Sequence, residues 1–231
     1  MFVCWSPTAD LAAGTVVCGI GILALGQVRR VRDLPLACLP LLLGAHQLIE
    51  SVVWRGADGT VSASTAHLAV LAWAAIAFPI LPAFVPLAVL CAVWPHRAAR
   101  RRLLPLCALG LASSGFLAYA LAAGPVTAVS DGHILTYSVE IPVGYAVIAG
   151  YLISTLGAPL FSGNPDLRLF GLVAAVGAAV CVTVWQLAFA STWCAFAAVV
   201  SLMLVRWLWH ERRASIEEPP TVLLRGVDSQ T

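Results

Sequence analysis

Seven apolar runs alternate with short polar joints along the chain. Hydropathy places helical spans at about 8–28, 34–54, 65–94, 103–123, 139–161, 167–190 and 192–209, all but the third near the 20 residues that a bilayer crossing needs. The third run is about 45 Å long at the helical rise. It contains Pro79, Pro82 and Pro86, so it must tilt, kink or project from the bilayer. The pattern predicts an all-α fold: a polytopic membrane protein of seven transmembrane helices. Between the fourth and fifth runs, Asp131-Gly132 sits between β-prone segments, a hairpin signal. Such a hairpin competes with an irregular loop. No internal repeat is present, so an inverted-repeat transporter is not supported.

The polar positions that interrupt the second run carry the chemistry. His46, Gln47, Glu50, Ser51 and Trp54 recur at helical spacing and form one stripe. An acidic group at the centre of a spanning helix costs roughly 2.5–3.5 kcal/mol on insertion scales. The stripe is therefore expected to face the bundle interior, where partners exist.

Charge then sets the orientation. Arg29, Arg30, Arg32, Arg97, Arg100, Arg101, Arg102, Arg168, Arg206, Arg212, Arg213 and Arg225 fall on one side, and Arg55 alone on the other. The positive-inside rule puts the first side in the cytoplasm, with the N-terminus outside. Trp5, Trp54, Trp94, Trp193, Trp207 and Trp209 lie near helix ends, as an aromatic belt would have them. The same orientation collects Asp10, His67, Tyr119, His133, Tyr137, Glu140 and Gln186 at the outer level. A pocket that opens outward, lined by His46, Gln47, Glu50, Trp54, Gln186 and Glu140, is the resulting expectation.

Composition agrees with a membrane domain. The chain has 231 residues, is 61% hydrophobic and only 10% charged, too apolar for a soluble domain of this size. Residues 1–209 form the expected domain, and 210–231 a disordered cytoplasmic tail. The lipid bilayer is the expected environment, a small ligand from the outer side the expected partner, and no nucleic acid.

Several readings of the stripe compete. His46 and Glu50 lie at i and i+4 and could ligate one metal, with His67 and His133 completing the set. A transition-metal ion or haem is then the cofactor class, with redox or hydrolytic chemistry. Alternatively Glu50 titrates in a sensor or carrier of a small molecule or proton. In the third reading the polar groups only fix helix packing in a structural or assembly subunit. Ser113-Ser114-Gly115 reads as a packing patch. Of the seven Cys, Cys4 and Cys194 fall on the outer side, where a disulfide is permitted.

The segments Cys4-Trp5-Ser6 and His46-Gln47-x-x-Glu50 resemble an uncharacterised family of bacterial seven-helix membrane proteins. That resemblance implies a multi-pass protein of the bacterial plasma membrane and implies no activity. The layout is also similar to that of rhodopsins in topology. The chain has no Lys, so a covalent retinal Schiff base is impossible. Ceramidase-like hydrolases share the helix count, but no His precedes His210 in the seventh run.

Overall fold

In the computed structural model, residues 6–131, 134–139, 144–184 and 189–217 are described. The first helix, α1, runs Pro7–Gln27. The Ser6 hydroxyl caps it by accepting from the Ala9 N–H at 3.2 Å. Pro7 occupies its first turn, where a missing N–H costs nothing. Next, α2 spans Val31–Ala57. It opens with a tight turn at Val31–Asp33 and becomes regular over Leu39–Ala57. The third helix, α3, spans Ala63–Ala92 and is capped by the Ser62 hydroxyl. It widens into a π-turn at Ile76–Ile80, around Pro79. Then follow α4 (Arg97–Ala123), β1 (Thr127–Asp131), β2 (Ile134–Ser138), α5 (Gly144–Leu160), α6 (Pro165–Val184) and α7 (Phe189–Glu217). Among them α1, α2, α3 and α4 are long and apolar enough to cross a membrane, and α5 is a shorter apolar helix.

Each helix packs on its chain neighbours, and α7 returns to α1, so the seven close a ring. Additional contacts join α3 to α5 and α2 to α7. The larger core lies towards one end, around Leu36, Val89, Leu103, Leu167, Leu204 and Trp207. At the other end the two strands pair antiparallel, Thr127 opposite Ser138 and Asp131 opposite Ile134. The expected hairpin is present. Leu135 of β2 packs with Val53, Trp54, Val70 and Trp73, which fastens the hairpin over the ends of α2 and α3.

Two seams need glycine. A Cβ on Gly44 of α2 would stand 2.6 Å from the Cys18 sulfur and 2.7 Å from the Cys18 nitrogen of α1. Glycine there lets the two backbones meet, as small residues do between apolar helices. On α4, a Cβ at Gly110 would collide with the Pro82 carbonyl of α3 and reach Pro86 Cγ at 3.0 Å. The Ser114 hydroxyl, on the same seam, donates to the Pro79 carbonyl at 2.6 Å. Packing thus accounts for Ser114, whereas Gly115 faces open space.

Three expectations are corrected. The α7 helix passes the boundary at Trp209 and continues to Glu217. Its last turns are anchored: His210 Nδ1 lies 2.7 Å from Asp166 Oδ2, Arg30 donates to Glu211 at 2.8 Å, and Arg212 to Gln27 at 2.7 Å. These partners anchor residues 210–212, and the helix continues to 217 where a disordered tail was expected; 218–231 lie outside the described residues. The α4 helix begins at Arg97, so Arg97, Arg100, Arg101 and Arg102 sit on its first turns rather than in a loop. Finally, Trp94 and Trp209 are exposed as belt residues would be, but Trp54 and Trp207 are buried. Their indoles turn into the bundle.

Gly110→Val is expected to destabilise the protein by about 1–3 kcal/mol, the usual cost of overpacking. Gly115→Ala, on the open side of the same helix, is expected to be neutral or mildly stabilising. Thermal unfolding of the detergent-solubilised variants checks this, and equal losses at both positions would refute the seam.

Candidate functional site

The polar stripe of α2 is buried throughout: Glu50 is 0% and Gln47 1% exposed, with His46, Ser51 and Trp54 nearly as enclosed. Burial at this depth requires partners. Towards α1, the Trp54 indole donates to Asp10 Oδ2 at 2.9 Å. Asp10 is itself buried, and Glu50 lies close enough for the two carboxyl groups to interact electrostatically. Ser51 donates to the Leu48 carbonyl at 2.7 Å. One edge of the stripe therefore builds the α1–α2 seam.

The other edge turns away from α1. His46 hydrogen-bonds the backbone of Trp73 on α3, and its ring lies 4.7 Å from the Trp73 ring. Tyr137 of β2 stacks on Trp73 at 3.6 Å, with the planes 1° apart. Phe78 meets the same indole edge-on at 6.3 Å. Trp73 is only 2% exposed, and its Nε1 has no acceptor among the described residues.

These rings head a cavity of about 560 Å³ between α2, α3, α5, α6, α7 and β2. Its walls are mostly apolar, with Leu43, Val85, Leu156 and Phe170 among them. The polar groups that reach it are few: His46, Thr136, Tyr137, Tyr151 and Thr155, besides the Trp73 indole. Of these, Thr155 donates to the Tyr151 carbonyl at 2.7 Å. A concave, largely apolar site of this volume with a handful of polar groups has the form of a small-molecule pocket.

Of the described residues expected to line the pocket, His46 lines this cavity, and Tyr137 of the outer level joins it. Trp54 bonds Asp10 instead, and Glu50 lies within electrostatic reach of the same carboxyl group. Tyr119 is 65% exposed, turned away from the bundle. His133, Glu140, Gln186, Cys4 and the side chain of Cys194 lie outside the described residues. The metal reading finds no support among the described residues. His67 is exposed on the first turns of α3. Among the described residues no three His, Cys, Asp or Glu side chains come together as a metal would require. Of the expected ligand set, His46, Glu50 and His67 are thus not gathered into one cluster, and His133 lies outside the described residues.

Trp73 was not singled out from the sequence. The available signal was its place well inside an apolar run, away from the interface where Trp usually sits.

A family model that matches residues 3–219 covers nearly the whole chain. The chain belongs to DUF6629, a family of unknown function. No curated protein and no solved structure matches it. The match extends over all seven helices and the hairpin, so the cavity and both seams lie inside the DUF6629 region.

Trp54→Phe keeps the ring but removes the donor to a buried carboxyl group. It is expected to cost about 1–3 kcal/mol. Adding Asp10→Leu, which removes the stranded acceptor, is expected to recover part of that loss. A double-mutant cycle by detergent-titrated unfolding measures the coupling. Strict additivity would show that the bond contributes nothing.

Proposed function

We propose that this chain is a multi-pass protein of the bacterial plasma membrane that binds a small, largely apolar molecule and acts as a sensor or carrier. In this reading the N-terminus is outside and the C-terminus cytoplasmic. The support is the charge asymmetry: the joints at one end carry nearly all the arginines, and the hairpin end carries only Arg55. The cavity headed by His46 then opens towards the outer side, beneath the hairpin.

One observation carries the ligand class. The walls are apolar, yet the head of the cavity holds a buried indole N–H with no acceptor among the described residues. A buried donor left unsatisfied costs about 1–3 kcal/mol. A ligand with an apolar body and one carbonyl or ether oxygen would cover the walls and accept from Trp73. The stack of His46, Trp73 and Tyr137 gives that oxygen a rigid setting, because each ring is fixed by its neighbours. These groups bind and orient.

Native mass spectrometry of the detergent-purified chain is expected to show a retained apolar molecule, distinguished from detergent by its mass. Ala174→Phe, which places a ring in the cavity wall, is expected to abolish the adduct while the thermal transition remains cooperative. Trp73→Phe is expected to weaken retention about tenfold, the effect of one lost hydrogen bond. A wild-type chain that retains nothing, or an adduct indifferent to Ala174→Phe, would sink the proposal.

A further inference from the structure

A second pocket lies at the opposite end of the bundle. It encloses about 350 Å³ between the α1–α2, α3–α4 and α5–α6 joints and the last turns of α7. We infer that this pocket binds a phosphate group through Arg32, Arg102 and the Trp207 indole. It is separate from the His46 cavity and does not rest on the reading given for that cavity.

The argument is a surplus of donors. Three arginines line the pocket, Arg30, Arg32 and Arg102, with His96 beside them. Glu211 is the acid in the lining, and both its oxygens are occupied: Oε2 accepts from Arg30 at 2.8 Å and Oε1 from Asn164 at 3.3 Å. Asn164 is held in place because its own Oδ1 caps α6 by accepting from the Asp166 and Leu167 N–H groups. Glu211 is thus fixed on Arg30 and does not neutralise the other two arginines.

Arg32 makes a long ion pair with the buried Asp33, Nε to Oδ1 at 3.9 Å, but this is too long for a hydrogen bond, and Nε is buried without a hydrogen-bond partner among the described residues. Arg102 has no ion pair among them. Trp207 is 2% exposed, and its Nε1 is also buried, with no acceptor among the described residues. The rest of the lining includes Ala92, Val93 and Ala99, whose side chains offer no acceptor. Arg32, Arg102 and Trp207 therefore line one concavity, and Arg32 Nε and Trp207 Nε1 have no hydrogen-bond acceptor among the described residues.

A phosphate group fits this set. Its oxygens accept from several directions, and planar guanidinium groups bind it through paired N–H donors. The same chemistry is presented by an anionic lipid headgroup at the membrane surface and by a soluble phosphate compound. The exposed Trp94, with the Arg100 guanidinium 5.0 Å above its ring, lies at the same end.

The test uses the full chain in a non-ionic detergent. Its thermal unfolding is followed while dioctanoyl phosphatidylglycerol, dioctanoyl phosphatidylcholine or inorganic phosphate is titrated. Phosphatidylglycerol or inorganic phosphate is expected to raise Tm saturably. A response to the lipid alone assigns the site to a headgroup, and a response to inorganic phosphate assigns it to a soluble ligand. Arg102→Gln is expected to weaken the response about tenfold, and Trp207→Phe to weaken it several-fold. Arg97→Gln, an exposed change at the same end but outside the pocket, is expected to leave it unchanged. Arg102 is exposed, so its variant is expected to fold even if Trp207→Phe does not. The inference is overturned if neither probe raises Tm. It is equally overturned if Arg97→Gln lowers the response as much as Arg102→Gln, which would mean diffuse surface attraction.

Discussion

The contact between the backbones of α1 and α2 decides where the polar groups of this protein go. Gly44 meets Cys18 because neither residue interposes bulk, and Gly14 lets Leu48 approach in the same way. Once the two helices are this close, Asp10 has nowhere to turn except along the seam, and Trp54 reaches it. Two carboxyl groups and an indole are then held away from any apolar surroundings that would penalise them. The seam is thus a packing device and a polar refuge together. Replacing its glycines would separate the helices and strand the carboxyl groups.

That seam also explains why the stripe on α2 reads as one feature in the sequence and acts as two in the fold. At about 100° per residue, Ser51 lies within about 20° of Gly44 around the helix, Trp54 about 80° away and His46 about 160° away. The stripe is wide enough to touch α1 with one edge and the ring's interior with the other. The i, i+4 spacing of His46 and Glu50 says they are neighbours; it does not say that they serve one site. The partner helices decide that: α1 takes Trp54 to Asp10, while α3 takes His46 to the Trp73 backbone.

The helical spans and the hairpin were legible because their signals are local: apolar length, proline position and the Asp131-Gly132 turn. The cavity was not. Its walls come from five helices and a strand, and most wall residues are Leu, Ala, Val and Phe, which carry no mark of facing a void rather than lipid or core. The Arg-rich end was half legible. Positive charge at the joints was plain, but its gathering around a buried Trp207 needed the return of α7 to α1 and the capping of α6 by Asn164. A helical tail past Trp209 was missed for the same reason. Residues 210–212 are polar by composition, and their partners Asp166, Arg30 and Gln27 are distant in the chain.

The cavity depends on an irregularity in α3. Pro79 has no N–H to give, and the chain responds by widening into a π-turn, in which the Leu81 N–H reaches back to the Ile76 carbonyl. The Pro79 carbonyl is turned to the Ser114 hydroxyl of α4, so the widened turn is not left with an unpaired acceptor. Ala77 and Phe78 lie within the turn and both line the cavity. Trp73 stands just before it. A regular helix through this segment would rotate the residues on one side of it relative to the other. It could not keep Trp73 against His46 while presenting Phe78, Leu81 and Val85 to the same space. The proline that should weaken a spanning helix is therefore what lets one helix supply both the aromatic head of the cavity and its apolar wall.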